Sequence, residues 1–320
     1  MGYDFEPERA ISEARARGAR RVLVQAPGGL KQYVRRLCER LEAEGVTAII
    51  STNPCYGGCD LAEGEAKAVG ADLIIHIGHH KFGFGEGQEE VPAIYIPAPH
   101  IADAGALSGK AAEFLKGKGI ARVGLVANTQ HQSWIGRFKD ALQQAGIESI
   151  VDKPSGGLVL GCRTGAASRI EGEVDAVLFI GGGEFHALGV AMAIDKEVYI
   201  ADPYRTEIRE TSALKKKALA RRWWAIMEAT KAITFGIVVV AKTGQFDMEG
   251  AERIREALRA KGKGAFLISA VEVNWEGLAG LSFVDAFIVT GCPRIAVDNQ
   301  ESFGKPVLNV MEAQELLRRV

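Results

Sequence analysis

Cysteine is scarce in this chain. The 320 residues hold five: Cys38, Cys55, Cys59, Cys162 and Cys292. So few, so scattered, exclude a disulfide scaffold; in a reducing compartment such thiols serve metal binding or catalysis instead. A charge excess is also missing, since 39 Lys and Arg face 40 Asp and Glu for a net charge of −1. Nothing therefore draws the whole chain to nucleic acid or to an anionic membrane, and direct nucleic-acid binding is not expected. No apolar run approaches the ~20 residues that span a bilayer. The first 21 residues are charged and lack the apolar stretch of a secretory signal, so the expected location is cytoplasmic. The remaining composition, 47% hydrophobic and 25% charged, is that of a globular protein rather than a disordered one.

What is present is a strand–helix unit repeated three times. Residues 21–25 (RVLVQ) are β-branched and apolar, as in a buried parallel strand. Helical spacing of Val34, Leu37, Cys38 and Leu41 follows, closed by Gly45. Further strands are expected at 47–50, 72–77 and 93–96. The pattern restarts at 122–127 (RVGLVA), with a helix at 135–145 and strands at 148–151, 175–180 and 198–201. A long helix, 212–231, precedes the third round: strand 234–241, helix 248–260, and strands 265–269, 285–290 and 306–309. Asp72, Asp175 and Asp285 each open the third strand of their round, roughly 100 residues apart, so the repeat is a whole small domain rather than a solenoid unit. Alternation of strands and helices implies parallel sheets with right-handed crossovers. The expected domains are 1–105, 106–211 and 212–320. Each is a Rossmann-like α/β unit with a parallel four-stranded sheet, and the three are expected to face a pseudo-threefold axis.

The cysteines fall at strand ends. Asn53-Pro54-Cys55-Tyr56-Gly57-Gly58-Cys59-Asp60 follows the second strand of the first repeat. Cys162 follows the second strand of the second, and Gly291-Cys292-Pro293 the third strand of the third. Carboxyl edges of parallel sheets are where ligands bind. Three thiolates converging there suit a [4Fe–4S] cluster with one iron left open, or a zinc ion completed by His79, His80 or His186. Chemistry alone leaves the choice between Cys55 and Cys59 open. Cys38, on the apolar face of its helix, reads as a core thiol. Gly181, Gly182 and Gly183 permit a tight turn and offer backbone amides to an anion, but GGGEFH lacks the dinucleotide fingerprint. Lys215, Lys216, Lys217, Arg221 and Arg222 read as a solvated helix face, with a macromolecular docking patch as the alternative.

Motifs spread over all three repeats carry a family resemblance. They are Tyr56-Gly57-Gly58-Cys59-Asp60, Gly78-His79, Gly182-Gly183-Glu184-Phe185-His186, Asp202-Pro203-Tyr204, Lys242-Thr243-Gly244-Gln245 and Gly291-Cys292-Pro293-Arg294. In this order the chain resembles archaeal diphthamide synthase, a radical-SAM-like transferase built of three similar α/β domains in a triangle. The resemblance implies cluster ligands at Cys59, Cys162 and Cys292. It implies transfer of the 3-amino-3-carboxypropyl group from S-adenosylmethionine to a histidine of translation elongation factor 2, with release of methylthioadenosine. It also implies an electron donor and a homodimer. Gly181, Gly182, Gly183, Gln245, His79 and Arg294 become candidates for binding S-adenosylmethionine or, for Arg294, for orienting the Cys292 loop. Two positions depart from the family pattern: His80 follows Gly78-His79 where Ser or Thr is usual, and Ala187 replaces a proline. The nearest rival enzyme is quinolinate synthase, a condensing enzyme with a three-cysteine cluster. A non-catalytic, cluster-bearing partner subunit is a rival of another kind.

Overall fold

In the computed structural model, which describes residues 2–82 and 89–320, three sheets are laid down in chain order. The strands are β1 (Arg21–Gln25), β2 (Thr47–Ile50), β3 (Leu73–Ile77) and β4 (Ala93–Ile96), then β5 (Arg122–Ala127), β6 (Glu148–Ile150), β7 (Ala176–Ile180), β8 (Glu197–Asp202) and β9 (Glu207–Glu210). The last set is β10 (Thr234–Val240), β11 (Gly264–Ala270), β12 (Ala286–Val289) and β13 (Val307–Asn309). Their orders are β2-β1-β3-β4, β6-β5-β7-β8-β9 and β11-β10-β12-β13. The first four strands of each set thus share one order, with the first strand paired to the second and third. Parallel registers include Leu23 with Ile49 and Ile74, Val123 with Ser149 and Ala176, and Ile237 with Leu267 and Ile288.

The middle sheet corrects one expectation: it has five strands, not four. A four-residue turn at 203–206 returns the chain from β8 to β9. That turn is too short for a crossover, so the added edge strand runs antiparallel. No helix among the described residues is long and apolar enough to cross a membrane.

Period-two alternation sends successive strand residues to opposite faces, and here both faces are covered. Val22, Val24, Leu73, Ile75 and Ile77 enter one core of the first sheet, while Leu23, Ile74 and Tyr95 enter another. The third sheet repeats this with Phe235, Ile237 and Ile288 on one face and Val238, Phe287 and Val289 on the other. Each such side chain withdrawn from water contributes about 1.5–3 kcal/mol, which explains the unbroken apolar runs.

The threefold aspartate has a structural cause. Asp72 Oδ2 accepts from the backbone N–H groups of Arg20 and Arg21 at 2.8 and 3.0 Å. Asp175 does the same for Ala121 and Arg122, and Asp285 for Ile233 and Thr234. Each carboxylate ties the start of the third strand to the start of the first. These backbone donors hold the Asp72 carboxyl below its usual range. A depressed folded pKa adds stability above the unfolded value of ~3.9, and this is lost as pH falls through the folded pKa. Solvent exposure keeps that contribution under about 1 kcal/mol. Asp72→Asn is expected to lower the urea midpoint at pH 7 and to converge on the parent protein as pH drops below ~4. A gap that is unchanged in acid would refute the carboxylate's role.

The chain forms two compact units. One comprises Met1–Val159, Gly165–Gly182 and Tyr199–Arg209; the other comprises Leu160–Thr164, Gly183–Val198 and Glu210–Val320. Within the second unit, Arg222 corrects the reading of its helix face. It lies on Ser212–Thr230, the helix expected at 212–231, but its side chain is only 4% exposed. Its guanidinium donates to both Glu312 oxygens at 2.6 Å and to the carbonyls of Ala296 and Val307. Helical phase is the reason: Ala218, Ala225, Ile226 and Ala229 line the same buried side. Trp223 and Trp224, one step around, are both exposed.

Candidate functional site

The first cysteine loop leaves β2 and is pinned from several sides. Lys31 Nζ donates to the carbonyls of Thr52 and Asn53 at 2.7 and 2.6 Å, and Ser51 Oγ donates to Glu65 at 2.7 Å. The Asp60 amide closes a turn on the Gly57 carbonyl at 2.9 Å. Cys55 and Cys59 are both buried, whereas Tyr56 points to solvent. Gly58 is required by close approach, because a Cβ there would lie 2.2 Å from the His80 carbonyl oxygen. Gly58→Ala is therefore expected to displace the loop and cost about 2 kcal/mol or more. A thermal melt and an iron assay check this; an unchanged melting point and unchanged iron content would refute the constraint.

Beneath this loop lies a polar network on β1 and β3. Gln25 Nε2 donates to the Asp60 carbonyl at 2.7 Å, and Gln25 Oε1 accepts from the Ala62 amide at 3.1 Å. The same Oε1 faces His76 Nδ1 at 3.1 Å, and His76 Nε2 faces His79 Nδ1 at 3.0 Å. Cys55 Sγ sits 3.9 Å from His76 Nε2. Burial, then the neighbouring His79, push His76 well below the ordinary histidine range. Burial, then the Asp60 charge, push the Cys55 thiol up to about 12. His79 is half-buried in this network. His80, beside it, is lowered by burial, with a hydrogen bond to Gln132 opposing.

The second unit brings Cys162 and Cys292 together. The Gly161–Cys162 turn lies directly on the helix Phe185–Ala193. A Cβ on Gly161 would meet Phe185 Cε1 at 2.1 Å, and one on Gly189 would meet the Gly161 carbonyl oxygen at 2.4 Å. Arg294 closes the arrangement. Its guanidinium lies 4.3 Å from the centroid of the Phe185 ring and grips both Asp298 oxygens at 2.9 and 2.6 Å. Burial raises the Cys292 thiol; backbone amides of Arg294 and Ile295 oppose this by donating to it, and the Cys162 charge raises it further. Cys162, an exposed residue, is also raised by partial desolvation of its thiol, with the charge of Arg163, a backbone hydrogen bond and the charge of Arg294 opposing. His186 is pushed down to about 4, by burial first and by Arg294 second. The guanidinium and the two amides only partly offset burial, so both thiols rest protonated and lose their protons when a metal takes them as ligands.

Gln245 belongs to the same unit. Its amide donates to the Lys242 carbonyl at 2.9 Å, and its carbonyl oxygen lies 3.4 Å from where a Gly291 Cβ would stand. The Gln245 loop thus abuts the turn that leads into Cys292. Lys242 is itself buried and paired with Glu272 at 2.5 Å. The glycine run has local causes. Gly182 leaves room for the Tyr204 ring, 2.2 Å from a would-be Cβ, and Gly183 takes a left-handed backbone with φ +74°.

Cys59, with Cys55, His76 and His79, belongs to the first unit; Cys162, Cys292, Arg294, His186 and Gln245 belong to the second. The grouping of Cys55 with His76 and His79 escaped the sequence reading. Its one signal was a histidine inside an otherwise apolar strand, LIIHI. The Arg294–Asp298 pair was legible as an i, i+4 charge pair.

Strand-end thiols on parallel sheets, two of them next to a buried arginine, define an α/β protein of thiolate-ligand chemistry. Residues 26–320 match the family described as "Putative diphthamide synthesis protein". The 2-(3-amino-3-carboxypropyl)histidine synthase of Pyrococcus horikoshii is 34% identical over 99% of this chain and 91% of its own length. Subunit 1 of the enzyme of that name from Encephalitozoon cuniculi is 29% identical over 97% of this chain and 87% of its own length. The crystal structure of Dph2 from Pyrococcus horikoshii with a 4Fe-4S cluster superposes with a TM-score of 0.87 at 31% identity, covering 100% of this chain and 92% of that one. The chain belongs to the diphthamide synthesis family.

Proposed function

We propose that this chain is a 2-(3-amino-3-carboxypropyl)histidine synthase, catalysing the first step of diphthamide formation. It takes the 3-amino-3-carboxypropyl group from S-adenosylmethionine and places it on a histidine of translation elongation factor 2. Homologues bearing that enzyme name over almost the full length support the reading, as does the cluster carried by the structural relative. The observation that carries it is that the Cys162 turn and Arg294, two residues beyond Cys292, meet over Gly189, where a Cβ would stand 2.4 Å from the Gly161 carbonyl oxygen and 3.1 Å from the Arg294 guanidinium. Cys59, Cys162 and Cys292 are the ligands we assign to a [4Fe–4S] cluster. Their donor set fits, because such clusters are held by thiolates. When bound, that cofactor supplies the single electron that cleaves the bond between the sulfonium and the amino-acid γ-carbon.

The chain's own residues orient and enclose. Arg294 is committed to Asp298 and Phe185, so its role is to position the Cys292 turn rather than to grip a free carboxylate. Gln245 and the amides of Gly182 and Gly183 are the groups we assign to the methionine part of S-adenosylmethionine; the Gly181 amide is already taken by the Ala201 carbonyl at 3.1 Å. An external electron donor, a homodimer and a cytoplasmic location complete the proposal.

Anaerobic incubation of the purified chain with S-adenosylmethionine, dithionite and elongation factor 2 tests this. Methylthioadenosine and a modified histidine are expected. Methylthioadenosine without modification would leave only cofactor cleavage. Absence of both, with a full complement of iron, would favour the non-catalytic partner subunit.

A further inference from the structure

We propose that Cys55, His76 and His79 form a mononuclear zinc site, separate from the three thiols assigned to the iron–sulfur cluster. The three ligand atoms lie within 4.8 Å of one another, with His76 Nε2 3.0 Å from His79 Nδ1 and Cys55 Sγ 3.9 Å from His76 Nε2. Tetrahedral zinc, with Zn–N of ~2.0–2.1 Å and Zn–S of ~2.3 Å, sets its donors about 3.3 Å apart for N···N and about 3.6 Å for N···S. Shifts of a few tenths of an ångström bring those two edges to the metal geometry.

Tautomer logic points the same way. Gln25 Nε2 donates to a carbonyl and Oε1 accepts from an amide, so the orientation of this side chain is unambiguous. The group facing His76 Nδ1 is then an acceptor, and Nδ1 carries the proton. His76 Nε2 therefore presents its lone pair toward Cys55 and His79. An imidazole held this way through its other nitrogen is the usual outer support of a metal-binding histidine. Backbone geometry supplies the second imidazole. Gly78 takes φ +92° directly after β3, and the turn folds His79 back onto His76. A Cβ on Gly78 would collide with Leu30 and Pro27, so the turn is tightly bounded.

One thiolate and two imidazoles suit zinc, which is borderline soft, better than magnesium or calcium, which take oxygen. Among the described residues the group numbers three, so the fourth position falls to water, as in zinc sites that keep an open place. Binding releases the Cys55 thiol proton to solvent and moves the His79 proton from Nδ1 to Nε2. The site would clamp the Asn53–Asp60 loop, and with it Cys59, to the end of β3.

The test uses full-length, iron-loaded protein treated anaerobically with one equivalent of zinc and desalted. Zinc and iron are counted by mass spectrometry, and the zinc shell is read by X-ray absorption. The expected result is about one zinc per chain with one sulfur at ~2.3 Å and two nitrogens at ~2.0–2.1 Å. Cys55→Ser and His79→Ala should each lower zinc at least about tenfold while iron stays constant. His79 is half-buried, so its replacement spares the core; Cys55→Ser keeps volume, and unchanged iron reports an intact fold. Zinc below about a tenth of an equivalent, zinc retained by both variants, or a sulfur-only shell with displaced iron would each overturn the proposal.

Discussion

Cys292→Ala is expected to abolish iron retention and to lower methylthioadenosine release by at least about a hundredfold, since loss of a direct ligand exceeds the 10–100-fold cost of losing an outer partner. Cys292 is only partly buried, so little packing is lost with the sulfur. What disappears is the sulfur toward which the Arg294 and Ile295 amides point, the ligand proposed above. The melting point should therefore barely move, separating this effect from unfolding. Cys162→Ala should match it, because Cys162 stands beside the same guanidinium. Cys38→Ala makes the control. Its thiol is raised to about 11, mainly by burial, and it packs with Leu37 and Leu41 under the first sheet. That change should cost about 1 kcal/mol and leave turnover within about twofold. Iron and turnover retained in Cys292→Ala would refute the assignment, and retention in Cys59→Ala with loss in Cys55→Ala would move the first ligand to Cys55.

Arg222→Ala is expected to destabilise the second unit by about 3–5 kcal/mol, because it strands a partner charge that is only 12% exposed. Glu312 would keep its hydrogen bond to the Asn309 amide but lose both guanidinium contacts, and the Ala296 and Val307 carbonyls would lose a donor. At roughly 2–4 °C per kcal/mol, the melting point should fall by about 6–20 °C. Arg222→Met with Glu312→Gln should recover more than half of the loss. Glutamine still caps the helix Val310–Leu317, and neither partner then carries an unpaired charge. A shift below about 2 °C in Arg222→Ala would show that the network is not holding β13 and its flanking helices.

Much of this architecture was legible before any coordinates. Apolar runs such as LIIHI and DAFIV announce strands covered on both faces, because only crossover helices on both sides can bury them. The repeated aspartates announced triplication, yet their cause, two backbone amides per carboxylate, is a contact between strands some fifty residues apart and leaves no local mark. Strand β9 was missed because EIRE is short and polar, with none of the β-branched or aromatic enrichment that flags a strand. Arg222 was misread because a basic run looks solvated in one dimension; helical phase turned one member inward.

The sequence by itself determined the parallel α/β class, the threefold repetition and the placing of thiols at strand ends, since periodicity and turn residues act over a few positions. Only the tertiary structure decided which groups meet: Arg294 over Phe185 beside Cys162 and Cys292, and Cys55 against His76 and His79. Such meetings depend on where distant loops come to rest, and that is settled by packing and by paired hydrogen bonds rather than by the local chain.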